Sequence, residues 1–253
     1  MRGLAGKAIL VAGGGAIGAA AARRLSEEGA RVVLADIDVE TARADAAAIT
    51  TEGGGEVVAA HYDQADDSSI AALVQQAVEA LGGLDGLHAN AADLGIARED
   101  HDVVTTDMAV WDRTIAVNAR GVTSLTQYAV PHLLKRRGAI VYTSSGSVYV
   151  GEPARYAYAM SKSALNALMR HVASRWGAEG LRANAIAPGL IIGRRDSTLL
   201  PEELKAVVSQ IQRLPVPGKP EHIAAMVAML LSDDAEWITG QVYAVDGGST
   251  IRA

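Results

Sequence analysis

A tyrosine and a lysine four residues apart, in Tyr158-Ala-Met-Ser-Lys162, open a stretch with helical spacing, so their side chains share one face. A phenol is a poor base because its pKa is about 10. A neighbouring ammonium favours the phenolate, and a downward shift of about 2 to 3 units corresponds to roughly 3 to 4 kcal/mol, within reach of one close charge in a sheltered cleft. The pair reads as a proton-transfer centre. Ser145 lies thirteen residues upstream, just past the apolar run Ala139-Ile-Val-Tyr-Thr143, while Asn118 sits in Ala116-Val-Asn-Ala-Arg120 and Asn90 in His88-Ala-Asn-Ala-Ala92. Taken singly, each of these three suits backbone satisfaction as well as it suits chemistry.

A second group of residues points to phosphate. Gly13, Gly15 and Gly18 match G-x-G-x-x-G between an apolar run and an alanine-rich one. Glycines there let the backbone turn sharply and approach a pyrophosphate, whose charge suits the N-terminus of the following helix. Asp36 ends the next apolar run, 18 residues beyond Gly18, near the spacing of about 20 for a carboxylate that binds adenosine ribose hydroxyls. A 2′-phosphate at that spot meets a like charge, at a cost on the order of 1 to 4 kcal/mol. NAD is expected over NADP.

The elements that must hold these residues alternate. Short runs at Ala8 to Ala12, Arg31 to Ala35, Glu56 to Ala60, Gly86 to Ala89, Ala139 to Thr143, Arg182 to Ala187 and Gln241 to Val245 read as strands. Most are nearly all apolar, as in parallel strands covered on both faces. Between them, Ile17 to Glu28, Val39 to Thr50, Ser68 to Leu81, Val110 to Lys135 and Arg155 to Gly177 carry helical spacing. The last bears the stripe Leu165, Leu168, Met169, Val172 and Trp176, spaced as one apolar helix face. The pattern predicts a single α/β domain over residues 1–253, a Rossmann-like, doubly wound, seven-stranded parallel sheet with helices on both faces and ligands at the strands' carboxyl ends.

Composition narrows the function further. A net charge of -6 argues against nucleic acid, whose binding needs clustered cations. There is no cysteine, and no apolar run approaches the length of a membrane span, about 20 residues. A cytoplasmic protein is expected. Six histidines fall without a spacing such as H-E-x-x-H, so no metal site is expected. Trp111, Trp176 and Trp237 read as packing residues.

Together, the glycine loop, Asp36, Asp63 in His61-Tyr-Asp63, Asn90, Asn118, Ser145, Tyr158, Lys162, Pro188-Gly189 and the closing Ile238-Thr-Gly-Gln-Val-Tyr-Ala-Val-Asp-Gly-Gly248 closely resemble the short-chain dehydrogenase/reductase family, in order and in spacing. The resemblance implies hydride transfer between NAD and a secondary alcohol or ketone. Tyr158 would exchange the hydroxyl proton, Lys162 would lower its pKa and hold the nicotinamide ribose, Ser145 would hydrogen-bond the reacting oxygen, and Asn118 would steady a water. It also implies cofactor contacts from Gly13, Gly15, Ile17 and Gly18, from Asp63 at the adenine, from Asn90 near the ribose, and from Pro188, Gly189 and Ile191 at the nicotinamide. A homotetramer through helices such as Val110 to Lys135 and Arg155 to Gly177 is part of the same expectation.

The chain departs from the family pattern in three places. The glycine loop is one residue shorter, with Ala12 for a threonine and Ala16 where a glycine is usual; Asn-Asn-Ala-Gly becomes Ala89-Asn-Ala-Ala92; and Gly193 replaces a threonine. A lid is expected at about 190–215, where Leu190, Ile191, Ile192, Leu199 and Leu200, with Val148, Tyr149 and Val150, suit a hydrophobic or cyclic alcohol or else pack on the protein itself. Arg194-Arg195 could meet an anionic substrate or stand in solvent. Two other functions are open: an NADPH-using 3-ketoacyl-acyl-carrier-protein reductase, which Asp36 disfavours, and a non-catalytic, NAD-responsive binding protein.

Overall fold

A computed structural model describes residues 1–53, 55–193, 210 and 212–251. The seven apolar runs form strands β1 (Ala8–Ala12), β2 (Arg31–Asp36), β3 (Val57–His61), β4 (Gly86–Ala89), β5 (Ala139–Thr143), β6 (Arg182–Pro188) and β7 (Val242–Val245). All pair in parallel, in the order β3-β2-β1-β4-β5-β6-β7. The order reverses between β1 and β4, which opens a crevice at their carboxyl ends.

Alternation along β1 explains the two layers. Ala8, Leu10 and Ala12 join one apolar cluster, and Ile9 and Val11 join the other. The first is closed by α3 (Asp67–Leu81), α5 (Val122–Leu134) and α6 (Tyr156–Trp176); the second by α1 (Gly15–Glu27), α2 (Val39–Thr51) and α7 (Pro220–Leu231). The stripe expected on α6 is present: Leu165, Met169 and Val172 are buried, and Leu168 and Trp176 pack against them. The central strands β1 and β5 are buried throughout, whereas β3 and β7, at the edges, are partly exposed. None of the described helices is long and apolar enough to cross a membrane.

Two expectations need correction. The stretch Val110 to Lys135 is not one regular helix: α4 (Met108–Ile115) passes through a π-helical turn at Ala116–Gly121 before α5 begins. Gln64 occupies the widened turn, donating its amide to Val117 O at 2.8 Å and to Ala91 O at 3.1 Å. Gly121 leaves space for it, since a Cβ there would lie 2.1 Å from Gln64 O. Trp237 is not a packing residue; it is 97% exposed, on the turn before β7. Of the expected lid, residues 194–209 and 211 lie outside the described residues, Arg194, Arg195, Leu199 and Leu200 among them.

Candidate active site

The crevice at the β1–β4 junction begins with the glycine loop. Gly13 has φ +103° and Gly15 φ +56°, conformations natural to glycine. Gly13 must also lack a side chain, because a Cβ there would lie 2.3 Å from Ala91 N. A Cβ on Gly18 would lie 2.0 Å from Gly13 O. The helix starts at Gly15, earlier than the apolar spacing indicated, and its N-cap, Gly14, offers no side-chain cap. No acidic residue stands in its first turn. The first N–H groups of a helix have no partner within it, so with no side-chain cap and no acidic residue in the first turn, those beyond Gly14 are presented to an anion. The shortened loop therefore still fits a dinucleotide pyrophosphate at Gly15, Ala16 and Ile17. Gly193, beyond β6, comes against this loop: its Cβ would lie 3.2 Å from that of Ala16.

Asp36, at the end of β2, is fixed beside the loop. Its Oδ2 accepts the Gly14 N–H at 2.7 Å and its Oδ1 accepts the Asp38 N–H at 3.0 Å. Asn90 closes the loop's other side by donating to Gly13 O at 2.9 Å and Gly14 O at 3.3 Å. That orientation leaves Asn90 Oδ1 to accept from Thr143 Oγ1 at 2.9 Å. The threonine proton being spent, the 2.9 Å contact from Thr143 Oγ1 to His88 Nε2 requires the imidazole to donate. His88 is thus neutral with its proton on Nε2, and burial pushes its pKa down to about 3. A lone polar residue in an apolar strand was the signal for this network.

Asp63, after β3, accepts the Ala65 N–H at 2.8 Å, and no bond ties it to the glycine loop among the described residues. Pro188 ends β6 with its carbonyl facing Gly146, and Gly189 donates to Val245 O at 3.1 Å. A Cβ on Gly189 would lie 2.8 Å from Asp246 Cα, so this turn requires glycine. Ile191 bridges to Gly218.

The four residues expected to carry the chemistry converge past β5. The Ser145 hydroxyl is near enough to the Tyr158 phenol to lower its pKa, and Lys162 Nζ stands 5.7 Å from the Tyr158 ring centroid. Lys162 is buried and donates to Thr143 O at 2.8 Å. Asn118, in the π turn, accepts the Asp93 N–H at 3.0 Å and donates at 3.4 Å to Ser161 Oγ, which in turn donates to Tyr158 O at 2.7 Å.

Electrostatics here differ from the expectation drawn from the i, i+4 spacing. Burial pushes the Tyr158 phenol above its ordinary value; the Ser145 hydrogen bond and the Arg155 charge pull it back, and Glu152 raises it. Lys162 is turned to Thr143 O, and burial pushes its own pKa down to about 8. Lys162 is not among the groups that shift the phenol.

Sequence reasoning missed Asp100 and Gln64. Asp100, 2% exposed, accepts the Tyr158 N–H at 2.8 Å and the Ala157 N–H at 3.3 Å. The available signal was that Arg155, before α6, is not a capping residue, so the cap had to come from elsewhere. Nothing in the periodicity marked Gln64.

Comparison with known proteins agrees with this geometry. Residues 11–250 match the family described as Enoyl-(Acyl carrier protein) reductase. Meso-2,3-butanediol dehydrogenase of Serratia marcescens is 35% identical over 245 residues, covering 96% of this chain and 94% of that protein. A short-chain dehydrogenase from Burkholderia cenocepacia, solved with NADP, superimposes at a TM-score of 0.87 with 31% identity, over 98% of this chain and 99% of the other. A 7α-hydroxysteroid dehydrogenase, solved with NADH and 7-oxo glycochenodeoxycholic acid, gives 0.89 at 28% identity, over 98% and 95%. With a doubly wound sheet, a glycine loop and a serine–tyrosine–lysine cluster all in register, the chain belongs to the short-chain dehydrogenase/reductase family, whose members are oxidoreductases that bind a nicotinamide cofactor.

Proposed function

We propose that the chain is an NAD-dependent dehydrogenase/reductase interconverting a hydrophobic or cyclic secondary alcohol and its ketone, acting in the cytoplasm as a homotetramer. The observation that carries the reading is the buried Lys162 Nζ 5.7 Å from the Tyr158 ring, with the Ser145 hydroxyl acting on the same phenol and an uncapped helix N-terminus following β1. A nicotinamide held in the crevice would supply the hydride acceptor or donor. Tyr158 takes the alcohol proton as the carbon-bound hydride leaves, and returns it in the ketone direction. Ser145 donates to the same oxygen, where negative charge develops. Lys162 would hold the ribose, and its positive charge near the ring would favour the phenolate. Asn118 steadies a water linked to Lys162 in this reading.

Gly13, Gly15, Ile17 and Gly18 cradle the pyrophosphate in this reading, and Asp36, Asp63 and Asn90 meet the adenosine half. Pro188, Gly189 and Ile191 border the nicotinamide. The preference for NAD rests on the fixed Asp36 carboxylate, which opposes a 2′-phosphate. An apolar substrate is favoured by exposed Val150 and Leu190 on the segments that follow Ser145 and Gly189. Cis-4-hydroxycyclohexanecarboxylate dehydrogenase of Sinomonas cyclohexanicum, a 34% identical relative, supports cyclic substrates. A second reading, 3-oxoacyl-carrier reduction with NADPH, draws on the 35% identity to FabG of Thermotoga maritima.

The test is spectrophotometric NADH formation across a panel of cyclic and acyclic secondary alcohols, run against NADP. Turnover is expected with NAD at least about tenfold above NADP, and Tyr158→Phe should lower kcat by about a thousandfold or more, since the proton acceptor itself is lost. Equal use of both cofactors contradicts the assignment to Asp36. A rate unchanged in Tyr158→Phe removes the proposed mechanism.

A further inference from the structure

We propose that Asp100 is a positioning residue for Tyr158, fixing its phenol by holding the main chain of the helical turn that carries it. The inference rests on the proton-transfer role proposed for Tyr158. Helix α6 begins without a local cap: Arg155 precedes it at φ +62° and supplies no side-chain bond. A buried carboxylate from the loop after β4 takes that place, with Oδ1 on the Ala157 N–H and Oδ2 on the Tyr158 N–H, while Asp100 O accepts the Arg155 N–H at 2.9 Å. A carboxylate at a helix N-terminus satisfies donors that the helix cannot and meets the positive end of its dipole. Bonds of this kind, to a charged acceptor, are the stronger sort.

Position along the helix makes the effect selective. Tyr158 is the third residue of α6, in the turn that frays first when uncapped. Lys162 lies a turn further in and is anchored independently to Thr143 O. Loss of the Asp100 carboxylate therefore loosens the phenol and leaves the lysine in place. The same loop reaches Asn118 through the Asp93 N–H, so it spans the two ends of the proposed proton path.

The experiment compares wild type, Asp100→Asn and Asp100→Ala, with kcat on one alcohol from the panel and NADH affinity by fluorescence titration. Asp100→Ala is expected to lower kcat about tenfold or more with NADH affinity within about twofold, because a small displacement of a reacting group is costly in rate. Asp100→Asn, which keeps one acceptor without the charge, should lose about threefold. A kcat in Asp100→Ala within twofold of wild type overturns the proposal, as does NADH affinity falling in step with the rate. If the alanine variant does not fold, Asp100→Asn decides: wild-type rates there overturn it.

A wild-type chain with no turnover sinks the proposed reaction rather than this inference. The readout is then the Tyr158 phenol titration, obtained by ultraviolet difference against the matching Tyr158→Phe protein. Ser145, Arg155, Glu152 and Lys162 face that ring and are unchanged. The midpoint should fall toward the ordinary tyrosine value in Asp100→Ala as the phenol gains water; an unmoved midpoint overturns the positioning role.

Discussion

Lys162 is the residue on which burial and the proposed function pull in opposite directions. Its ammonium is enclosed at the end of β5 with the Thr143 carbonyl as its hydrogen-bond partner among the described residues, and burial lowers its pKa from 10.5 to about 8. That depression corresponds to about 3 kcal/mol of preference for the neutral form, an order-of-magnitude figure. The unfolded chain binds the proton more tightly, so between about pH 8 and 10.5 unfolding takes up protons and stability rises with pH. Lys162→Met should therefore stabilise the cofactor-free protein at pH 7 by up to about 3 kcal/mol, less whatever the unpartnered Thr143 carbonyl costs. The gain should shrink as pH rises through that window. Urea denaturation at pH 7 and pH 10 measures both; a variant less stable than wild type at pH 7 contradicts the assignment. Retaining a costly ammonium is what a role at the site requires, since a structural contact to one carbonyl needs no charge.

At the scale of elements, the glycine loop and the π turn show how backbone geometry builds the site. Gly13 and Gly18 are needed because chain passes against chain: their missing Cβ atoms would lie 2.3 Å from Ala91 N and 2.0 Å from Gly13 O. Among the described residues nothing lies within 4 Å of a Cβ at Gly15, which needs only its φ of +56°. The three glycines of one motif thus serve two different ends. Gly18→Ala must move the loop backbone and the Asn90 amide that closes it, and should weaken NADH binding by about tenfold or more. Gly15→Ala bears only left-handed strain, about 1 kcal/mol, and should weaken binding by less than about tenfold. Fluorescence titration of the two variants gives the order; the reverse order refutes this division of roles. The π turn works similarly, since the wide spacing admits Gln64 and brings Asn118 to face Asp93 and Ser161.

For the molecule as a whole, apolar side chains remain at the surface. Val103 and Val104 before α4, Met108 at its start and Trp237 before β7 are all well exposed, and exposed apolar surface of this kind is commonly covered by association. The proposed tetramer predicts a sedimentation mass four times the 26.2 kDa chain, with a monomer as the contrary result. The sheet that orders these surfaces was legible in the sequence because parallel strands buried on both faces must be almost wholly apolar, and β1, β4 and β5 coincide with their runs. Tyr158 and Lys162 were legible for a related reason: helical periodicity places i and i+4 together whatever surrounds them. The direction of the phenol's shift was not, because it depends on burial and on partners brought from elsewhere in the chain. Asp100 reaches Tyr158 across 58 residues, Gln64 enters the π turn across 53, and His88 meets Thr143 across 55. Local spacing determined which residues could act and on which elements they stand; only the packing of distant loops decided how each is capped, desolvated and aimed, because those energies come from contacts that no stretch of sequence contains by itself.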